Sequence, residues 1–450
     1  MLNDLLIWVA LLVGLIFLVI DNRRGVGALT LAYFLILSLS HVPGVLAYLD
    51  PDTFQAQEES TKVGFDATLI GMAAFLVGAI AARIWPRRTT RVKAQQFSLS
   101  ADIFRQLGRR LLIIGTVSYF VILPVSALVP SLTAVMSVMG TLLILGIFLQ
   151  IYAAVNAKDS RKILLILGGL PLLPLSTLTT GGFIGFGTVW ALSITSFLFV
   201  IARRRIWFYL AGPPIIFLGL SLFVTYFQTR DEIRGVVWNE GASIVQRLDK
   251  IAKLFTDFQF LDLSNNAHRD ALDRRLNQNW VVGIGIMQHR ENAVGLLYGA
   301  TVPIWALIPR AIWPDKPAVG GGQDWVTEFT GIRFGEGISV GVGQVLEFYM
   351  NFGMPGILAG FAVLGFILMR LDQRIMCALA TRNISQVIRW AMPGLALLSP
   401  LGNLVEILVA FVSAMVVSQL LVYSTLLGSP PARKLSGKMS GEPMRVNMRR

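Results

Sequence analysis

The chain has one cysteine, Cys377, and three histidines, His41, His268 and His289. A single thiol excludes an intramolecular disulfide, and no Cys/His spacing of the kind that holds zinc is present. Charge is also scarce: Asp, Glu, Lys and Arg make up 14% of 450 residues, against 54% hydrophobic residues and a mean hydropathy of +0.65. That is too little charge for the surface of a large water-soluble protein. There is no P-loop, no Gly-x-Ser-x-Gly elbow and no dinucleotide fingerprint opening a helix in a soluble context. The two halves show no repeat, and no low-complexity tract or soluble domain interrupts them. Lys and Arg number 39 against 26 Asp and Glu, a net charge of +13. The basic residues fall in short clusters between apolar runs, which is the pattern of cytoplasmic loops and not of a nucleic-acid surface.

What is present is a succession of apolar runs. A membrane-crossing helix takes roughly 20 apolar residues, and about eleven such segments are predicted. The fold class is therefore an all-α polytopic membrane protein with one large extracytoplasmic loop region late in the chain. The first segment, Leu2–Ile20, lacks a basic leader and a small-residue cleavage site, and Arg23 and Arg24 follow it. It reads as a retained helix with the N-terminus outside. Further spans are expected at 26–39, 67–85, 111–129, 132–155, 206–228, 345–369, 387–401 and 404–427. The run 163–201 is long enough for two, divided at Thr179-Thr180-Gly181-Gly182. The acidic loop 41–66, with Lys62 as its one basic residue, reads as extracytoplasmic. Residues 1–228 hold eight spans, 229–343 form the outer region, 344–427 hold three spans, and 428–450 form a basic cytoplasmic tail. An odd number of spans agrees with an outside N-terminus and an inside C-terminus.

Within the outer region, Ile244, Leu248, Ile251, Leu254, Phe255 and Phe258 repeat at helical spacing, which predicts an amphipathic surface helix over 241–260. Residues 292–307 are apolar but meet Pro303 and Arg310, which suits a re-entrant or interfacial path. In the stretch 304–322, Pro309, Pro314 and Pro317 prevent a regular helix. Trp305 and Trp313 there suit headgroup depth. With Arg310, Asp315 and Lys316 beside these rings, the stretch is either a cradle for an anionic lipid headgroup or a rigid outer loop anchored by its aromatics.

His289 is the candidate general base, because Arg290, Glu291 and Asn292 follow it and set an anion-binding cation beside it. A lone outer histidine is more ordinarily a surface residue. Arg230 and Arg234 stand one turn apart if the eighth span continues past Gln228. They then either snorkel at the interface or grip a phosphate with forked donors. Arg290, Arg310 and Lys316 bring that group to five cations. Glu347, one turn into the ninth span, is costly unless paired. It balances Arg310 or Arg333, or it acts as the base that activates an acceptor. Glu406 and Arg389, near the ends of other spans, carry the same ambiguity. The glycines of 181–187 suit close helix packing.

One group of residues carries a family resemblance. Ile308, Pro309, Arg310, Trp313, Pro314, Lys316 and Pro317, followed by Glu347, Tyr349, Asn351, Phe352, Gly353 and Gly356, resemble the corresponding stretches of Wzy-type O-antigen and exopolysaccharide repeat-unit polymerases. The topological similarity covers nearly the whole chain. The resemblance implies a GT-C-like membrane glycosyltransferase that needs no metal and no cofactor. Such an enzyme transfers a growing glycan from undecaprenyl pyrophosphate to a lipid-linked repeat unit at the periplasmic face of the bacterial inner membrane. The implied partners are the lipid-linked glycan, the bilayer, a chain-length regulator and a flippase, with no nucleic acid. Arg230, Arg234, Arg290, Arg310 and Lys316 would hold the pyrophosphate, with His289 or Glu347 as the base. Some members carry an arginine and a glycine separated by ten residues, as Arg230 and Gly241 are here, and Arg310 and Gly321. Related polymerases often have an arginine after the mid-chain Gly-Ser/Thr turn, whereas Phe183 follows Thr179-Thr180-Gly181-Gly182 here. An O-antigen ligase would share the donor. A flippase or other transporter would show repeated halves or polar, broken helices at the bilayer midplane. A structural subunit of an export complex would show no chemistry at all.

Overall fold

The structure, a computed structural model, describes residues 1–20, 27–49, 57–85, 101–123, 130–181, 184–202, 205–237, 244–289, 308, 312–313, 322–333 and 341–423. Every regular element among them is helical. In chain order the helices are α1 (Leu2–Ile20), α2 (Ala28–Leu46), α3 (Glu58–Ile84), α4 (Ala101–Val117), α5 (Pro130–Asn156), α6 (Ser160–Gly169), α7 (Leu172–Gly181), α8 (Gly185–Ile201), α9 (Ile206–Val237), α10 (Ile244–Thr256), α11 (Asn266–Arg275), α12 (Asn279–His289), α13 (Gly322–Thr330), α14 (Gln344–Ala380), α15 (Ile384–Ala396) and α16 (Leu404–Tyr423).

Eight helical stretches among the described residues are long and apolar enough to cross a membrane. They comprise α1, α2, α3, residues 138–156 of α5, the α6–α7 stretch, α9, α14 and α16. The three other predicted spans correspond to helices that are shorter or more charged. α4 carries Arg105, Arg109 and Arg110 and passes into a π-helical stretch, Ser118–Ile122. α8 has 17 residues and α15 has 13. The expected acidic outer loop is also shorter than its charges suggest. α2 continues to Leu46 with Pro43 inside it, and α3 starts at Glu58. Glu58 and Glu59 occupy the first turn of α3, where the positive end of the helix dipole favours them. Lys62 and Asp66 pair one turn apart at 2.6 Å.

Helices in lipid gain little from apolar burial against one another, so close backbone approach has to hold them. α3 supplies it with Gly64, Gly71 and Gly78, spaced at sevens along one face. A Cβ at Gly64 would lie 1.9 Å from the carbonyl oxygen of Asn279, and one at Gly78 the same distance from that of Ala362. Gly365 of α14 and Gly283 of α12 answer them against the Phe75 and Ser60 carbonyls. α3 is thus the post on which α12 and α14 pack.

Polar contacts sort the helix ends into two groups. At one end Arg83 bonds the Leu18 carbonyl, the Gln373 amide bonds the Ala82 carbonyl at 3.1 Å, and Asp372 caps α2. The Asp372 carboxylate accepts the Leu29 and Thr30 amides at 2.9 and 3.0 Å and the Thr30 hydroxyl at 2.7 Å. At the other end, Lys62 meets Asp4 at 3.3 Å, the Gly44 amide bonds the Leu276 carbonyl, the Gln278 amide bonds that of Ser40, and the Gln344 amide bonds that of Pro400. Segment 257–289 therefore lies over the second end, tied to α2 and α3.

Candidate functional site

α9 runs past Gln228 to Val237, so Arg230 and Arg234 do stand one turn apart on one helix. The structure adds a third arginine, Arg275, from the last turn of α11. Tyr226, one turn below Arg230, lies beside them: Arg234 hydrogen-bonds its hydroxyl, and Arg275 is close enough to interact with it. Tyr226 is held in turn by Ile233, Val237 and Ile251, with Leu178 of α7 closing this small apolar cluster.

Among the described residues the charges here are unbalanced. Burial and then the like charges of Arg230 and Arg234 hold the half-buried Arg275 guanidinium down at about 10. Asp231 is the carboxylate that opposes this at Arg275. It meets Arg230 at 3.1 Å while its own side chain is 89% exposed. Other acids nearby are committed elsewhere, Glu232 to Lys250 at 2.6 Å and Asp270 to Arg274 at 2.7 Å. Nη1 of Arg230 and Nε of Arg275 are buried without a hydrogen-bond partner. Unfilled guanidinium donors facing like charge make a binding place for an anion with several acceptor oxygens. The apolar face of Arg230 is fixed by the Phe227 ring, 5.5 Å from the guanidinium carbon.

Nothing matches in the comparisons. No family model, no curated protein and no solved structure is found to be similar to this chain.

The remaining predicted residues lie elsewhere. His289 ends α12, where its Nε2 donates to the Phe329 carbonyl at 3.0 Å. A carbonyl only accepts, so this bond fixes the proton on Nε2 of the neutral ring and leaves the Nδ1 lone pair free. Nδ1 is buried without a partner. Between Arg275 and His289 stands the whole of α12, 11 residues and about 16 Å long. Glu347 is buried and accepts the Leu404 amide at 2.6 Å, capping the first turn of α16. Among the described residues its charged neighbour is Glu406. Arg290, Arg310 and Lys316 lie outside the described residues, as do 292–307 and most of 304–322.

His41 and His268 are structural. His41 is buried, with Nδ1 donating to the Asn279 side-chain oxygen at 2.5 Å. His268 accepts the Asp262 amide at 3.1 Å and bonds Gln259 at 3.0 Å. Arg389 sits in α15 with a buried, unpartnered Nε, and Glu406 lies in the first turn of α16. Arg275 and Asp372 were not singled out in the sequence. Arg275 follows Arg274 in a run of alternating signs and shows no sign of its partners 41 and 45 residues earlier. Asp372 follows Arg370 at a span end and looks like part of a solvated turn.

Proposed function

We propose that this protein is a metal-independent membrane glycosyltransferase that polymerises undecaprenyl-pyrophosphate-linked repeat units into O-antigen or exopolysaccharide. The observation that carries the reading is the convergence of Arg230, Arg234 and Arg275 at one end of the helix bundle, with a buried donor of Arg230 and one of Arg275 unfilled. In the same reading the chain crosses the bacterial inner membrane eleven times in a GT-C-like arrangement. Its N-terminus and the arginine end are then periplasmic, and its C-terminus cytoplasmic.

The chemistry asks for charge stabilisation and at most one base. A departing donor pyrophosphate gains negative charge, which in this reading Arg290, Arg310 and Lys316 would stabilise without a metal, the arginine trio anchoring the acceptor instead. A base has to lie within hydrogen-bond reach of the attacking hydroxyl. His289 lies at the far end of α12 from the α11 terminus that carries Arg275, so this reading gives the two residues different parts of the substrate. Both substrates carry a lipid diphosphate, and in the acceptor the reacting sugar is the remote one. The arginine trio accordingly holds the acceptor's diphosphate. His289 receives the proton at the far end of the repeat unit, with Arg290, Arg310 and Lys316 at the donor's diphosphate. Glu347 serves this account through α16, whose first turn it caps.

A second reading, a lipid-linked oligosaccharide flippase, is favoured by the break at Gly353 (φ 63°, ψ −156°) in the helix that carries Glu347 and Asn351. Deleting the gene and analysing the lipid-linked glycans separates these readings. Single repeat units left on the outer leaflet with no polymer are expected. Repeat units trapped on the cytoplasmic leaflet would mean a flippase, and full-length polymer left on its lipid carrier would mean a ligase.

A further inference from the structure

A cavity of about 420 Å³ opens between the first turn of α3 and one face of α12. Residues 57–60 line it from α3, and Ile284, Met287 and Gln288 line it from α12. The last three share a helix face at i, i+3 and i+4. Gly285 and His289 belong to the neighbouring face, against Leu346 and the Phe329 carbonyl.

The lining is rich in acceptors. Glu58 and Glu59 bring two carboxylates, and Gln57 brings an amide oxygen that is buried without a hydrogen-bond partner. The buried Ser60 hydroxyl donates to the Gln57 carbonyl at 3.1 Å. The Gln288 amide nitrogen donates to the Thr330 carbonyl at 2.9 Å, which leaves its oxygen. Among the described residues of the lining there is no Lys, Arg or His. Such a wall repels phosphate and asks for a ligand that donates hydrogen bonds. Ile284 and the 38%-exposed Met287 add an apolar patch. Two acids in a first turn are explained by the helix dipole alone. The unpartnered Gln57 oxygen in the same lining is not. A neutral sugar ring, with hydroxyl donors around its rim and C–H groups on its face, satisfies every part of this wall.

We propose that the cavity is a subsite for one neutral sugar of the acceptor glycan. It is joined to the arginine trio through hydrogen bonds. Asp273, two residues before Arg275, bonds the Tyr48 hydroxyl, and Tyr48 bonds the Gln57 backbone. In the proposed function, a repeat unit anchored by its diphosphate at Arg275 and reaching His289 is the acceptor that this wall would meet. That the sugar belongs to an acceptor rests on the proposed function. That the cavity takes a neutral glycan does not.

The test uses the full-length protein in lipid nanodiscs. The probe is the repeat-unit oligosaccharide from cells lacking the gene, released from its lipid and freed of phosphate. Wild type and Arg275→Ala are expected to bind it equally. Glu58→Gln/Glu59→Gln and Met287→Ala are expected to bind it about tenfold more weakly, the scale of hydrogen bonds to charged groups. Equal binding by wild type and the Glu58→Gln/Glu59→Gln variant, or no binding by wild type, overturns the subsite. Calcium that binds alone and is lost with the two glutamates overturns it in favour of a cation site. If the deleted cells hold no single repeat units, the polymerase reading fails by itself. The same variants are then titrated with lactose, maltose and cellobiose, and failure of all three to bind wild type overturns the cavity assignment separately.

Discussion

Arg275 is a residue whose charge works against the fold and for a ligand. Its guanidinium is held down at about 10, so the folded protein binds fewer protons than the unfolded chain between about 10 and the usual arginine range. Stability therefore rises with pH through that window, and the penalty is fully present at neutral pH. Arg275→Met is expected to stabilise the unliganded protein by up to about 1 kcal/mol for a solvent-screened group, seen as a higher melting temperature. The same variant is expected to lose the stabilisation that pyrophosphate gives to wild type. Thermal unfolding with and without pyrophosphate reads both effects, and an unchanged response to pyrophosphate would count against the anion site. Asp372 has the opposite balance. It accepts three hydrogen bonds at the start of α2. Asp372→Ala strands two buried amides and is expected to cost about 1–3 kcal/mol. The check is the yield of folded protein, with pyrophosphate affinity unchanged in what remains.

At the scale of elements, α3 and α14 decide the architecture by different means. α3 works by having no side chain at three positions. Gly283→Val in α12 would push its side chain into the Ser60 carbonyl, since even a Cβ would lie 1.7 Å away. It is expected to cost about 1–3 kcal/mol or more and to separate α12 from α3. Cross-linking between cysteines placed at Ile284 and Ser60 would report the separation as loss of the cross-link. α14 works by a break. Gly353 has a conformation that is essentially confined to glycine, and Pro355 follows it. Gly353→Ala is expected to cost about 1–3 kcal/mol of thermal stability. If melting is unchanged by this substitution, the break is not a fixed feature of the fold.

For the molecule as a whole, much of the helical plan was legible because apolar runs of membrane length are hard to mistake. The starts of α1 and α16 and the C-terminal ends of α1 and α3 fall within a residue or two of the expected spans. The continuation of α9 past Gln228, on which the Arg230–Arg234 pair depended, is present. Charge patterning misplaced the start of α3, because Glu58 and Glu59 serve a helix dipole as well as they serve a loop. The segment 266–289 was read as undifferentiated loop. Its two helices are held by long-range contacts that no local periodicity encodes: α12 by Asn279 to His41 and Gly283 to Ser60, and α11 by Ala271 and Leu272 in a cluster with Leu220 and Val224 of α9. For the same reason the third arginine of the cluster was invisible, and Glu347, readable as a base, turned out to cap a helix 57 residues later.

The central claim is that Arg230, Arg234 and Arg275 form one anion site. The most direct measurement is titration of the full-length protein in nanodiscs with farnesyl pyrophosphate, and with farnesol as control, at two salt concentrations. The account predicts pyrophosphate-dependent binding that weakens with salt and falls at least about tenfold in Arg230→Gln and in Arg275→Gln. Equal affinity for wild type and both variants, or equal binding of farnesol, would contradict it.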